Sequence, residues 1–217
     1  METEEKKMGK LVIVRHHESE WNKEGVWTGS RDVHLTPYGF EKSAEMGSLV
    51  KDICFDHAFA SMQVRSIETL SSMLSVCMAD SVLPTEHVSA FNERDYGDYT
   101  GKHKWEMEKE LGEEEFNKIR RGWDVPIPKG ESLKMVYDRA VPYFLEKVLP
   151  LLRDGKNVLI VSHGNTIRAL MKYIEKIPDE DMASVEMLFG GVVIYDLDKD
   201  GHKINKEVRQ VDSKVNA

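Results

Sequence analysis

Two short runs constrain this chain more than anything else in it. Lys10–Val14 (KLVIV) and Asn157–Ser162 (NVLIVS) are continuously apolar and β-branched, with no alternation of polar residues. Such runs read as strands buried on both faces, as in the interior of a parallel sheet. Ala58–Ser61 and Gly191–Leu197 (GVVIYDL) add further strands. Helical periodicity falls between them, from Pro37 to about Lys51 and over Arg65–Ala79, Lys102–Arg121, Ser132–Arg153 and Thr166–Ile174. Thr36 is the N-cap for the first of these and Pro37 its first residue. Gly112 divides the third, and Pro142 and Pro150 fall at bends or ends of the fourth. Gly122–Gly130 (GWDVPIPKG) is a loop. The expected fold class is therefore α/β, three layers, with a mainly parallel central sheet and helices on both faces. Residues 1–9 read as a disordered polar leader, 10–200 as one catalytic domain and 201–217 as a polar tail without core residues.

Both central strands run out into the same kind of chemistry. The first leads into Arg15-His16-His17 within VRHHESEWN, and the second into Ser162-His163-Gly164-Asn165. Ligands of open parallel sheets bind beyond the carboxyl ends of the strands. If the two strands are neighbours, His16, His163 and Arg15 share one pocket. An arginine among two histidines repels a metal cation, but the same trio suits a phosphoryl group. A neutral imidazole can attack phosphorus while arginine neutralises its oxygens. The net charge of −8 argues against a nucleic-acid partner but not against a small anion, provided cations cluster at the pocket. No stretch approaches the ~18 apolar residues of a membrane span, and METEEKKMGK lacks a signal core. Cys54 and Cys77 read as a reduced pair, so the expected location is cytoplasmic.

At this point the motifs resemble a family. LVIVRHHESEWN…TG (11–29) and SHGNTIRAL (162–170) resemble the histidine phosphatase superfamily, and more narrowly its cofactor-dependent phosphoglycerate mutase branch. NERDYGDYTGKHK (92–104) and RRGWD (120–124) resemble that branch's proton-transfer and substrate-clamp segments. The resemblance implies His16 as nucleophile, with Arg15, Arg65 and His163 around the phosphoryl oxygens. It implies Glu93 as general acid/base. Asn22 and the Gly164-Asn165 backbone would add hydrogen bonds, and Thr28 and Gly29 loop donors. Arg94, Tyr96, Lys104, Arg120 and Arg121 would hold the substrate carboxylate and distal phosphate. The implied reaction interconverts 3- and 2-phosphoglycerate, primed by 2,3-bisphosphoglycerate, with no metal. A phosphatase acting on phosphorylated metabolites stays open as the alternative, and a non-catalytic binding protein or a metal-binding doublet rank below it.

The chain departs from the family pattern in three places. His17 stands where the family has glycine, and it is expected to point outward or be tolerated. The stretch between Arg121 and Glu131 is short, and so is the tail. Both imply a monomer or weak homodimer and a more open pocket.

Overall fold

Six strands form a single sheet: β1 (Leu11–Arg15), β2 (His57–Ser61), β3 (Thr85–Val88), β4 (Val158–Ser162), β5 (Gly191–Leu197) and β6 (Lys203–Gln210). Their order is β3-β2-β4-β1-β5-β6. The first four lie parallel, while β5 and β6 pair antiparallel at one edge. This computed structural model describes residues 7–79 and 82–212. The helices are α1 (Glu20–Glu24), α2 (Pro37–Ser48), α3 (Val64–Cys77), α4 (Lys104–Leu111), α5 (Glu113–Arg121), α6 (Leu133–Tyr143), α7 (Leu149–Arg153) and α8 (Gly164–Glu175).

The apolar runs are continuous because each strand face meets its own layer of helices. Leu11, Ile13, Val158 and Ile160 pack with Ala140 and Val141 of α6, Leu152 of α7 and Leu170 of α8. The alternate residues Val12, Val14, Leu159 and Val161 pack with Met46 of α2 and with Leu70 and Met73 of α3. Each such side chain contributes about 1.5–3 kcal/mol by leaving water. A polar residue at any alternate position would face one helix layer or the other.

Register then positions the chemistry. Arg15 lies opposite Ser162, and the His16 amide donates to the Ser162 carbonyl at 3.0 Å. The strands therefore end level, and His16 meets His163 although the sequence holds them far apart.

Several expectations change. The segment after Asp200, expected as a tail, contains β6, which lies outside the 10–200 boundary. Its side chains are largely exposed, with Ile204 and Val208 open to solvent, so no apolar pattern marks it. Backbone pairing to β5 holds it, helped by Lys203 and Lys206 on Glu175 and by Arg209 on Asp52. Positive side chains on an edge strand also discourage pairing with another chain. Within the leader, Met8 packs on the core and the Gly9 amide donates to Leu152 O at 2.8 Å. Residues 1–6 and 213–217 lie outside the described residues. The 132–153 helix accommodates its prolines with a π-helical turn at Phe144–Val148. Gly112, at φ 81°, separates α4 from α5 as expected. Cys54 and Cys77 are free. Among the described residues no helix is long and apolar enough to cross a membrane.

Candidate active site

The carboxyl ends of β1, β2 and β4 open onto a cleft of about 750 Å³, a volume that includes open solvent. His16 stands at its base. Its Nδ1 lies 2.7 Å from the His17 carbonyl oxygen. A carbonyl can only accept, so Nδ1 carries the proton and Nε2 presents a lone pair. Burial, followed by the charges of Arg65 and Arg15, holds His16 well below the usual imidazole range. The ring is neutral near pH 7, the form a nucleophile needs.

His163 is fully buried, its ring centroid 4.9 Å from that of His16. Its Nε2 lies 2.7 Å from Ser61 Oγ, which also accepts the Gln63 amide at 3.2 Å. With the Ser61 hydroxyl donating to Nε2, Nδ1 becomes an N–H donor beside His16, and it has no partner among the described residues. Arg65 is 1% exposed and donates to Arg31 O and Gly29 O. Arg15 donates to Met187 O at 2.6 Å and covers the Phe189 ring at 3.5 Å. Burial lowers both guanidinium groups to about 10, which leaves them charged.

Helices α4 and α5 supply three further cations. The α5 sequence EEEFNKIRR puts acids in its first turn and bases in its last, which favours the helix by its dipole. The same pattern delivers Arg120 and Arg121 to the cleft beside Lys104 at the start of α4. Burial first, then Arg120 and Arg15, lowers Lys104 to about 8. Tyr96 stacks on Trp27 at 5.1 Å, and its hydroxyl accepts Asn165 Nδ2 at 3.0 Å.

Glu93 is held from several sides. Its amide donates to Gln63 Oε1 at 2.7 Å and its carbonyl accepts Arg139 Nη2 at 3.2 Å. Oε1 accepts the Arg94 amide and, at 3.3 Å, the Asn165 amide in the first turn of α8. A carboxylate is favoured at that positive helix end.

Other expected site residues take different tasks from those the resemblance implied. Arg94 does not line the cleft. It is 0% exposed, donates to Ile119 O at 2.6 Å and backs the Tyr96 ring at 4.6 Å. The interior claims it because it ties α5 to the Tyr96 loop. Gly29 offers its carbonyl, which accepts Gln63 Nε2 and Arg65 Nη2, at a φ of 52°. Asn165 spends its amide on Glu93 and its side chain on Tyr96 and Arg168, so Gly164 is left with the cleft-facing backbone. A Cβ on Gly164 would come within 3.2 Å of Arg15 Cζ. Asn22 Oδ1 accepts from Ser19 in the capping box of α1, which leaves its Nδ2 for an incoming oxygen. Thr28 lines the cleft with a buried, unpartnered Oγ1. His17 is buried rather than outward, yet outside the cleft lining. Its ring packs edge-on to Tyr38 at 5.3 Å, Nδ1 accepts the Glu18 amide at 2.8 Å, and its φ is not positive.

Buried donors left unpaired cost about 1–3 kcal/mol each. Among the described residues nine such side-chain atoms occur: Arg15 Nε, Arg65 Nε, Arg168 Nε and Thr28 Oγ1 belong to residues of the cleft lining, His163 Nδ1 to the ring beside His16, and His17 Nε2, Arg94 Nε and Nη1 and Thr100 Oγ1 to residues outside that lining. A phosphorylated acid would satisfy those at the cleft. Six cations line the cleft (Arg15, Arg65, Lys104, Arg120, Arg121 and Arg168) against the carboxylates Glu93 and Glu186.

The sequence profile described as histidine phosphatase superfamily, branch 1, matches residues 11–209. The chain belongs to this superfamily. It is 42% identical over 186 residues to a protein of Cytophaga hutchinsonii named 2,3-bisphosphoglycerate-dependent phosphoglycerate mutase, covering 86% of each chain. It is 39% identical to a protein of Parvibaculum lavamentivorans with the same name, over 91% of this chain and 95% of that one. Among solved structures, an alpha-ribazole-5'-P phosphatase described as putative, from Escherichia coli, shares the fold. Its TM-score is 0.76 at 23% identity, with 97% of this chain and 98% of that one covered.

Several further residues around the cleft carry no separate local signal in the sequence. Arg168 lines the cleft and donates to Asn165 Oδ1, Arg121 O and Met182 O. It sits three residues beyond Asn165 in α8, so helical spacing alone places both on one face. Ser61 ends β2 and Gln63 is the N-cap of α3 just beyond it, at the carboxyl end of a third parallel strand. Arg139 reaches the Glu93 loop from α6, through Ala90 O, Asn92 O and Glu93 O, and has no local motif.

The buried histidines give a stability prediction. Burial depresses His16 and His163 well below 6.5, and burial with Lys42 lowers His17 to about 4. Below about 6.5 the unfolded chain takes up protons that these folded sites refuse. Stability is thus full above pH 6.5 and falls as the pH drops toward 4. Thermal unfolding at pH 5 should show a Tm several degrees below that at pH 7. His17→Gly should lower Tm at pH 7 and flatten this acid dependence.

Proposed function

We propose that this chain is a phosphoglycerate mutase, interconverting 3- and 2-phosphoglycerate through a phosphohistidine on His16. One observation carries the reading. A neutral imidazole with a free Nε2, a carboxylate tied to the α8 N-terminus, and a second set of cations from α4 and α5 share one cleft. The name the relatives share and their 39–42% identity to this chain support it. The orphaned donors fit 2,3-bisphosphoglycerate, which would supply the first phosphoryl group.

In the first half-reaction the bond from His16 Nε2 to phosphorus breaks as the substrate hydroxyl oxygen bonds to phosphorus. Glu93 takes the hydroxyl proton, and His16 is left neutral with its proton still on Nδ1. Arg15, Arg65 and the His163 Nδ1–H stabilise charge on the equatorial oxygens, as does the α8 N-terminus. Lys104, Arg120, Arg121, Arg168 and Tyr96 hold the carboxylate and the distal phosphate. In the second half-reaction His16 Nε2 takes the other phosphoryl group, and Glu93 returns its proton to the departing oxygen. The site acts in the cytoplasm, on a small phosphorylated acid, in a monomer or weak homodimer.

Lys104 sets an alkaline limit. In the free enzyme it loses its proton near 8, and a bound anion requires the charged form. kcat/KM for 3-phosphoglycerate should therefore fall about tenfold between pH 7 and 9.5, the worth of one charge-assisted hydrogen bond. Lys104→Arg should move that limit upward.

Assaying 3-phosphoglycerate for both products tests the reading. Interconversion should far exceed release of inorganic phosphate. Dominant phosphate release would assign the protein to the phosphatases instead.

A further inference from the structure

Residues 178–190, between α8 and β5, bring Glu186 and Met187 to the cleft and are held by the cleft's own arginines. Arg168 donates to Met182 O and Arg15 to Met187 O, each at 2.6 Å. Arg121 Nη2 donates to Glu186 Oε1 at 2.9 Å, and Glu186 lines the cleft. Its carboxylate is out of place in a site built for anions. Glu93 has a proton to move, whereas Glu186 has no task in the phosphoryl transfer. It occupies one of the cations that a substrate must reach, as an internal anion.

Resting on the phosphoglycerate reading, we propose that Glu186 is a specificity-determining residue that selects against ligand charge, favouring the singly phosphorylated acid over the bisphosphorylated one. The pair with Arg121 is partly exposed, its side chains 40% and 27% accessible. Exposed pairs are worth only about 0–1 kcal/mol, so an incoming anion displaces the carboxylate readily. The displaced group stays nearby, because Arg15 holds the carbonyl of the adjacent Met187. It then repels the ligand in proportion to ligand charge. With phosphate near its dianion at neutral pH, 3-phosphoglycerate carries roughly three negative charges and the bisphosphate roughly five. The bisphosphorylated intermediate is accordingly held less firmly than the arginines alone would hold it, and more primer is needed to keep His16 phosphorylated.

Titration calorimetry on the full chain in a His16→Ala background, with and without Glu186→Gln, tests this. The probes are inorganic phosphate, 3-phosphoglycerate and 2,3-bisphosphoglycerate. Glutamine keeps the shape and the bond to Arg121 but removes the charge. The expected gain in affinity grows along the series, from about twofold for the monophosphates to about tenfold for the bisphosphate. In the otherwise parental enzyme, Glu186→Gln should also lower the primer concentration for half-maximal activity. A uniform change across the probes, no change, or a loss of affinity would overturn the proposal, since each would mean that Glu186 merely orients Arg121. The titrations need no turnover, so failure of the mutase assay would register separately.

Discussion

Glu93→Gln is expected to lower kcat for phosphoglycerate interconversion by about 10²–10⁴-fold, the usual worth of a positioned general acid/base. The final extent of phosphorylation on His16 should stay unchanged. Glutamine still accepts the Arg94 and Asn165 amides through its carbonyl oxygen, so the loop geometry survives. What it cannot do is take the hydroxyl proton or return it. A nitrophenyl phosphate supplies the control, because its leaving oxygen departs without a proton. Phosphorylation of His16 by that compound should run near the parental rate. Equal losses with both donors would make Glu93 a structural residue and remove it from the mechanism.

Arg65→Leu should do comparable damage for a different reason. Arg65 is the first-turn residue of α3 whose buried fork holds Arg31 O and Gly29 O. Removing it leaves Arg31 O without that partner, at about 1–3 kcal/mol where it is buried, while Gly29 O keeps Gln63 Nε2. A chain of this size loses roughly 2–4 °C of Tm per kcal/mol. The substitution also removes a charge beside the phosphoryl group, and losing one such preorganised donor costs about 10²–10³-fold in kcat. Arg65→Lys keeps the charge without the fork, so it should recover part of the rate and little of the stability. Parental kcat in Arg65→Leu would show that the guanidinium does not reach the transferring group.

The parts legible in the sequence are those that local chemistry encodes. KLVIV and NVLIVS announce β1 and β4 because their apolar side chains, Leu11–Val14 and Val158–Val161, are all buried, and the histidines that follow need only the parallel register to meet. The periodicity over Lys102–Arg121 announces α5 by spacing instead, since only Phe116 and Ile119 of it are buried. β6 is hidden because backbone pairing and long charged side chains hold it, leaving no apolar pattern to read. Arg94 shows the other kind of failure. A motif assigns it to the cleft, but tertiary packing turns the guanidinium inward to Ile119 O and the Tyr96 ring, and α8 supplies Arg168 instead. Glu93 is legible as an acid in a motif, whereas its positioning is not. The side chains of Gln63 and Arg139 reach it from α3's N-cap and from α6, across distances that no local pattern spans. His17 broke the expected pattern without the strain that a positive φ would bring. Its ring fills a buried slot against Tyr38, while its carbonyl fixes the tautomer of His16.

The central claim is that His16 Nε2 carries the phosphoryl group. Incubation with 2,3-bisphosphoglycerate followed by intact mass measurement and peptide mapping tests it most directly. The account predicts an increment of one phosphoryl group, mapped to His16 and absent from His16→Ala. No increment, or one that persists in His16→Ala, would contradict it.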